Sequence, residues 1–235
     1  MRQISKISVS PEYPRIYHLD KNISKMTHDD ISLDSDVVLP LSGFEEEKVD
    51  GANIGISWLN DGPILRNRQF ILHKGYSKIR TPAKEQFKSA WNFVHQHEDD
   101  IKEISKLLES EVTIYGEWLL AKHSLFYDKL PSVFIAYDIY CLGDRNFMSP
   151  PIVKELLSNT EIKFIGGQDV VYNNIDDIIS HSEGNSIYRN GRKEGIVIKQ
   201  YEGRFLTNTY KVVNKYFELR KDFNTTELVK NKIAR

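Results

Sequence analysis

The spacing of hydrophobic and polar positions changes several times along the chain, and each change predicts an element. Ile54-Gly55-Ile56-Ser57-Trp58 is β-prone and follows Asp50-Gly51, so Lys48 to Leu59 predicts strand, turn and strand. Asn60-Asp61-Gly62-Pro63 is a further turn. Ile64 to Arg68 then returns as a hairpin strand that carries Arg66 and Arg68 toward Lys48. Upstream the pattern is broken by Tyr13-Pro14 and Pro40, with Val37-Val38-Leu39 as a short strand. From Pro82 the period becomes helical: Phe87, Ala90, Trp91 and Val94 share one face, and Ile101, Ile104, Leu107 and Leu108 continue at helical spacing.

Val112 to Tyr115 reads as a strand ending in Gly116-Glu117-Trp118. Val133 to Leu142 is the strongest strand signal, apolar and β-branched around Asp138; a carboxylate kept in a buried strand is usually paired or used. Pro150-Pro151 opens a helix to about Leu157. Phe164-Ile165 and Val170-Val171-Tyr172 predict strands, and Ile175 to Ile187 a helix. After the Asn190-Gly191 turn come strands at Glu194 to Lys199 and Tyr210 to Val213, then a charged tail from Phe217 that reads as helix. Many strands with interspersed helices, without repeats or a clear linker, predict one α+β domain over 1–235.

Composition narrows the function classes. A net charge of −1 excludes a globally basic nucleic-acid binder, so any such surface must come from local clusters. Three are visible: Lys74, Lys78, Arg80, Lys84 and Lys88; Arg189, Arg192 and Lys193; and Arg204, Lys211, Lys215, Arg220 and Lys221. The single cysteine, Cys141, excludes an internal disulfide and a cysteine-rich zinc site and reads as a buried thiol. His95 and His97 fall on different sides of a helix, which does not suit a metal pair. No apolar run reaches the length of a membrane span and the N-terminus lacks a signal-peptide core, so a cytoplasmic location is the expectation.

The chemistry centres on Glu47-Lys48-Val49-Asp50-Gly51-Ala52-Asn53. A lysine at the lip of a tight turn becomes a nucleophile if burial or neighbouring cations lower its pKa. By itself the same stretch also suits an ordinary hairpin turn with a surface lysine. Downstream of it, in order, stand Gly-Glu at 116–117, aromatic-Asp at 137–138, Glu-Gly-x-Val-x-Lys at 194–199, and a late lysine at 211.

This ordered set resembles the covalent nucleotidyltransferase superfamily of polynucleotide ligases and capping enzymes, and within it ATP-dependent RNA ligases of the RNA ligase 2-like kind. Lys48 to Asn53 matches motif I, and Ile64 to Arg68 the arginine-bearing motif after it. Tyr115-Gly116-Glu117 matches motif III, Tyr137-Asp138 motif IIIa, Glu194 to Lys199 motif IV, and Tyr210 to Val213 motif V. The run Gly116 to Ser124 is also similar to a stretch of bacterial and phage RNA ligases. Tyr137 stands where the family usually has phenylalanine. Val213 stands where a second motif V lysine is common, so either Lys215 substitutes or Lys211 serves alone.

The resemblance implies an ATP-grasp-like nucleotidyltransferase fold with antiparallel sheets and flanking helices. It implies ATP and Mg²⁺ as cofactors and RNA with 5′-phosphate and 3′-hydroxyl ends as partner, joined through lysyl-AMP and adenylylated RNA. Lys48 would be the nucleophile, with Lys211, and with it Lys199, near the α-phosphate. Glu194 would help hold Mg²⁺, Glu117 would accept from the ribose hydroxyls, and Tyr137 would stack on adenine. Glu47 and Asn53 complete the nucleotide-binding set, with Asn53 serving the sealing step. Arg66 would contact phosphate, ahead of Arg68. A DNA ligase or a GTP-using capping enzyme shares these motifs, although Asn53 departs from the arginine typical of DNA ligases; an idle RNA-end-binding module would need no nucleophile. About 18 residues come after Phe217, too few for an accessory C-terminal domain. The chain shows no kinase P-loop or phosphatase module, so end healing, and RNA capture if needed, would come from partners.

Overall fold

The structure, a computed structural model, describes residues 10–28, 30–33, 37–59, 62–68, 70–72, 87–218 and 229–234. Among these, the strands form two sheets that meet at the Lys48 turn. The smaller contains β1 (Tyr17–His18), β2 (Leu41–Lys48), β10 (Gly167–Tyr172), β11 (Gly195–Glu202) and β12 (Phe205–Val213), in the order β1-β12-β11-β2-β10. The larger runs β5 (Ile71–Leu72), β4 (Gly62–Asn67), β3 (Ala52–Leu59), β6 (Val112–Trp118), β7 (Phe134–Cys141) and β8 (Asn146–Phe147), with β9 (Lys163–Phe164) beside β7. Neighbours are antiparallel except β1 with β12 and β7 with β9. The α+β class and antiparallel sheets therefore stand as expected.

The helices cover the apolar faces. Helix α1 (Lys88–Gln96) and α2 (Glu98–Leu107) bury Ala90, Phe93, Val94, Ile101 and Ile104 against the larger sheet. Glu98, Asp99 and Asp100 in the first turn of α2 complement its N-terminal dipole. Helix α3 (Pro150–Ser158) adds Val153 and Leu157 to the same core, and its prolines sit at the start, where no N–H is needed. Helix α4 (Ile175–Ser182) packs Ile178 on Ile196, Ile198 and Val212 of the smaller sheet. Strand alternation then turns Val197 and Lys199 to the opposite face, toward the larger sheet. A third cluster, including Val49, Leu119, Tyr127, Ile135 and Ile165, lies between the sheets beneath the Lys48 turn. Cys141 is a buried free thiol in the first core. Among the described residues no helix is long and apolar enough to cross a membrane.

Several elements differ from the pattern-based expectation. β2 and β3 do not pair; Asp50-Gly51 carries the chain from one sheet to the other. Val37-Val38-Leu39 is not a strand, since Pro40 has no N–H to donate and the ladder begins at Leu41. The helix from Ile175 stops at Ser182, because Ser186 and the Ile187 N–H donate to the Glu47 carboxylate instead of continuing the helical ladder. β12 begins five residues earlier than Tyr210, after a turn in which Gly203 takes φ +54°. Residues 229–234 are extended, with bridges from Lys230 to Ala121 and from Ile233 to Leu130, so the expected tail helix is not found in this described part. Asn60, Asp61, Lys74, Lys78, Arg80, Pro82, Lys84, Arg220 and Lys221 lie outside the described residues.

Candidate active site

Lys48 ends β2 directly opposite Gly195 of β11, and this register brings Glu194 beside it. The Lys48 ammonium donates to Glu194 Oε1 at 2.5 Å. Burial pulls the lysine pKa down, but the Glu194, Glu117 and Asp50 carboxylates together hold the ammonium above its ordinary range. The lowered lysine pKa that a nucleophile needs is thus not found: the group bonded to Lys48 is a carboxylate. Burial pushes Glu194 up, with Lys48 opposing. Among the described residues its Oε2 is buried without a hydrogen-bond partner.

The turn after Lys48 is clamped from outside. Asp50 accepts the Ser124 and Leu125 N–H groups at 2.6 and 2.8 Å, and its own N–H donates to the Tyr127 hydroxyl at 2.7 Å. The Gly51 N–H donates to Glu117 Oε1 at 3.0 Å. A Cβ on Gly51 would lie 2.8 Å from the Trp118 carbonyl, so only glycine fits. The segment from Gly116 to Ser124 is therefore the support for the Lys48 turn. Residues 229–234 brace it in turn: Asn231 donates to the Leu119 and Ala121 carbonyls and accepts the Tyr127 N–H.

A cleft of about 540 Å³ opens over this turn, within the ~300–1,000 Å³ usual for small-molecule sites. Lys48, Gly51, Asn53, Glu117, Tyr137 and Lys211 line it, with Tyr13, Arg15, Asp30 and Arg68 at its sides. A narrower recess of about 100 Å³ shares Tyr13, Lys48, Glu117 and Tyr137 and is floored by Glu46, Ile165, Val197 and Lys199. Glu46, Val197 and Lys211 are cross-strand neighbours in one row, which puts all three on the cleft face of the smaller sheet.

The other predicted residues separate into two groups. Glu117, Tyr137, Asn53 and Lys211 line the cleft with Lys48. Burial pushes the Glu117 carboxyl up to about 8, against the pull of Lys48. Asn53 donates to the Tyr137 hydroxyl. Lys211 donates to Asp30 Oδ1 at 2.7 Å, and burial lowers its pKa. Arg66, Glu47 and Lys199 are engaged by the protein itself. The Arg66 guanidinium is buried and donates to the carbonyls of Ser10, Asn67 and Arg68, so the cleft-facing arginine of this pair is Arg68. The Glu47 carboxylate, on the opposite face from Lys48, holds residues 186–187. Lys199 is 1% exposed and donates to Glu46 at 2.7 Å, to Asp138 at 3.0 Å and to the Tyr137 carbonyl at 2.7 Å. The buried Asp138 is thereby paired, and Tyr13 donates to its other oxygen at 2.5 Å. Lys215 points away to Glu183 and does not line the cleft.

Tyr13, Asp30, Asp50 and Tyr127 were not singled out by sequence. Tyr13 and Asp30 sit in broken segments without periodicity, and Asp50 reads locally as a turn former. No group of three or more His, Cys, Asp or Glu suited to a metal occurs among the described residues. The unpartnered Glu194 oxygen beside Lys48 does fit a hard cation that takes one protein carboxylate and completes its shell with phosphate oxygens and water.

The site is thus a lysine-centred anion cleft between two antiparallel sheets, with a carboxylate on the lysine and an aromatic wall. That is the arrangement of a nucleotidyltransferase. The chain belongs to the RNA ligase family, whose model matches residues 44–217. No curated protein matches it. Among solved structures it is similar to a Naegleria gruberi RNA ligase with pyrophosphate, with 20% identity, a TM-score of 0.54, and 74% of this chain and 50% of that one covered. A mutant of the same ligase with ATP and manganese gives 18% identity, a TM-score of 0.53, and coverage of 78% and 53%. Another, with AMP and manganese, gives 16%, 0.51, and 74% and 50%. The likeness extends to the fold, and the chain spans about half the length of those ligases.

Proposed function

We propose that this chain is the nucleotidyl-transfer unit of an ATP-dependent RNA ligase that joins 5′-phosphate to 3′-hydroxyl ends. The observation that carries the reading is the pairing of half-buried Lys48 with buried Glu194 at the base of a cleft walled by Tyr137 and rimmed by Lys211 and Arg68. Lys48 gives up its proton to water, favoured when Lys211 leaves Asp30 and its charge stands against the amine. Its neutral amine attacks the α-phosphate of ATP; a phosphorus–nitrogen bond forms and pyrophosphate leaves. The AMP then passes from Lys48 to the RNA 5′-phosphate. The 3′-hydroxyl attacks that phosphate, loses its proton and expels AMP.

Lys211 exchanges Asp30 for the α-phosphate and stabilises its developing charge. Arg68 takes the phosphate role expected first of Arg66. Tyr137 stacks on adenine, Val197 faces the same recess, and the Glu117 oxygen not engaged by Gly51 accepts from ribose. Glu194 Oε2 would hold a divalent cation, Mg²⁺ in this reading, which would supply charge neutralisation of the phosphates. Asn53, where DNA ligases carry arginine, supports RNA over DNA.

The test is incubation with labelled ATP or GTP and Mg²⁺. Label should pass to wild type from ATP only, and Lys48→Ala should take none while its thermal midpoint stays near that of wild type. An adduct on folded Lys48→Ala would sink the assignment of the nucleophile. Faster sealing of an all-DNA nick than of one with RNA at the 3′-hydroxyl would remove the RNA assignment and keep the lysyl-AMP step.

A further inference from the structure

Beyond the cleft, one surface feature has no part in nucleotide chemistry. β12 ends at Val213, and the next residues form a turn built onto the strand that carries Glu194. Asn214 is buried: its N–H donates to the Glu194 carbonyl at 2.8 Å, its Nδ2 to the Lys193 carbonyl at 3.3 Å, and its Oδ1 accepts the Tyr216 N–H at 2.8 Å. Phe217 is buried on the far side. Between these two anchors Tyr216 is held outward, 59% exposed. The Arg192 guanidinium lies 4.6 Å from its ring centroid and the Lys215 ammonium 5.0 Å. Glu183 meets both cations, Lys215 at 3.1 Å and Arg192 at 4.0 Å, and sets their positions without cancelling their summed charge. None of the four lines the cleft.

The structure thus joins two basic groups that are far apart in sequence, around one displayed aromatic ring. A ring with flanking cations suits a nucleobase and its adjoining phosphates: every base offers a π-face, and the phosphates take the cations. Asn214 fixes the distance of this ring from the reacting end, because it bonds the backbone of the residue whose carboxylate holds Lys48. Resting on the RNA ligase reading, we propose that Tyr216, Arg192 and Lys215 form a docking platform for the RNA strand beside the reacting end. An unpaired base stacks on Tyr216, and Arg192 and Lys215 exchange Glu183 for phosphate.

The experiment separates formation of the adduct from its use. Adduct formation with ATP alone, and AMP transfer from the isolated adduct to a 5′-phosphate RNA at subsaturating concentration, are measured for wild type, Tyr216→Ala, Tyr216→Trp and Arg192→Ala/Lys215→Ala. Tyr216→Ala should form adduct within about twofold of wild type but transfer AMP about tenfold more slowly, the loss expected from one base–aromatic stack. Tyr216→Trp should transfer normally. The double variant should flatten the log–log salt dependence of RNA binding by ~0.7 per cation for a single strand. Wild-type transfer by Tyr216→Ala, or equal losses in both steps, would overturn the platform while leaving the ligase reading intact. An acidic protein as the patch's partner would show the same way, as unchanged transfer. Absence of any wild-type adduct would instead overturn the ligase reading and this surface with it.

Discussion

Replacing Lys199 with methionine should cost the protein stability before it costs any direct contact with nucleotide. The ammonium sits at 1% exposure with Glu46, Asp138 and the Tyr137 carbonyl at 2.7, 3.0 and 2.7 Å. Removing it leaves two carboxylates in the interior without a cation. Breaking a buried ion pair from one side costs ~3–5 kcal/mol. For a domain of this size each kcal/mol lowers the thermal midpoint by roughly 2–4 °C, so the expected fall is about 6–20 °C.

The pH dependence has a definite sign. Burial already pushes Glu46 up to about 8, with Lys199 opposing. Without Lys199 the carboxyl rises further and the folded variant holds its proton longer. The variant's deficit should therefore be smaller near pH 6 and grow toward pH 9. Lys199→Met combined with Glu46→Gln should recover much of the loss, since the remaining carboxylate, Asp138, keeps its Tyr13 donor. Thermal unfolding followed by circular dichroism at both pH values reads all three quantities. A midpoint within about 3 °C of wild type, with adduct formation abolished, would refute this reasoning and return Lys199 to the phosphate.

The two arginines should behave oppositely. Arg68→Ala should raise the ATP concentration needed for half-maximal adduct formation about tenfold or more, the worth of a hydrogen bond to a charged group, and leave unfolding unchanged. Arg66→Ala strips three carbonyls of their donor and should lower the thermal midpoint, and the reverse pattern would restore Arg66 to the cleft. Glu117, up to about 8 from an ordinary 4.5, binds more protons folded than unfolded between those values. Its contribution is full in acid and is lost as pH rises through 8. The stability of wild type relative to Glu117→Gln should therefore fall from pH 5 to 8 in urea titrations, and a constant difference would contradict the burial argument.

How much of the fold and site was legible depends on how far each signal reaches along the chain. β7, α1, α2 and α3 were readable because an apolar face is written into consecutive residues. The Asp50-Gly51 turn was readable too, but its destination was not: the same dipeptide serves a hairpin or a passage between sheets, and only the partners of β3, namely β4 and β6, decide. Arg66 and Arg68 show the same limit. Strand alternation puts Arg66 beside buried Leu65 and opposite Gly55, where a missing side chain leaves room for the guanidinium to turn inward. That pairing is tertiary information.

The family resemblance carried Lys48, Glu117, Tyr137 and Lys211 to one cleft, because a motif set encodes which strands must meet. It did not carry charge state. Glu194 lies 146 positions from Lys48, and the register that opposes Lys48 to Gly195 decides that the nearest charge is a carboxylate. The lysine stands as a paired ammonium, and in the proposed reaction its activation would be a property of two strands rather than of the turn that displays it.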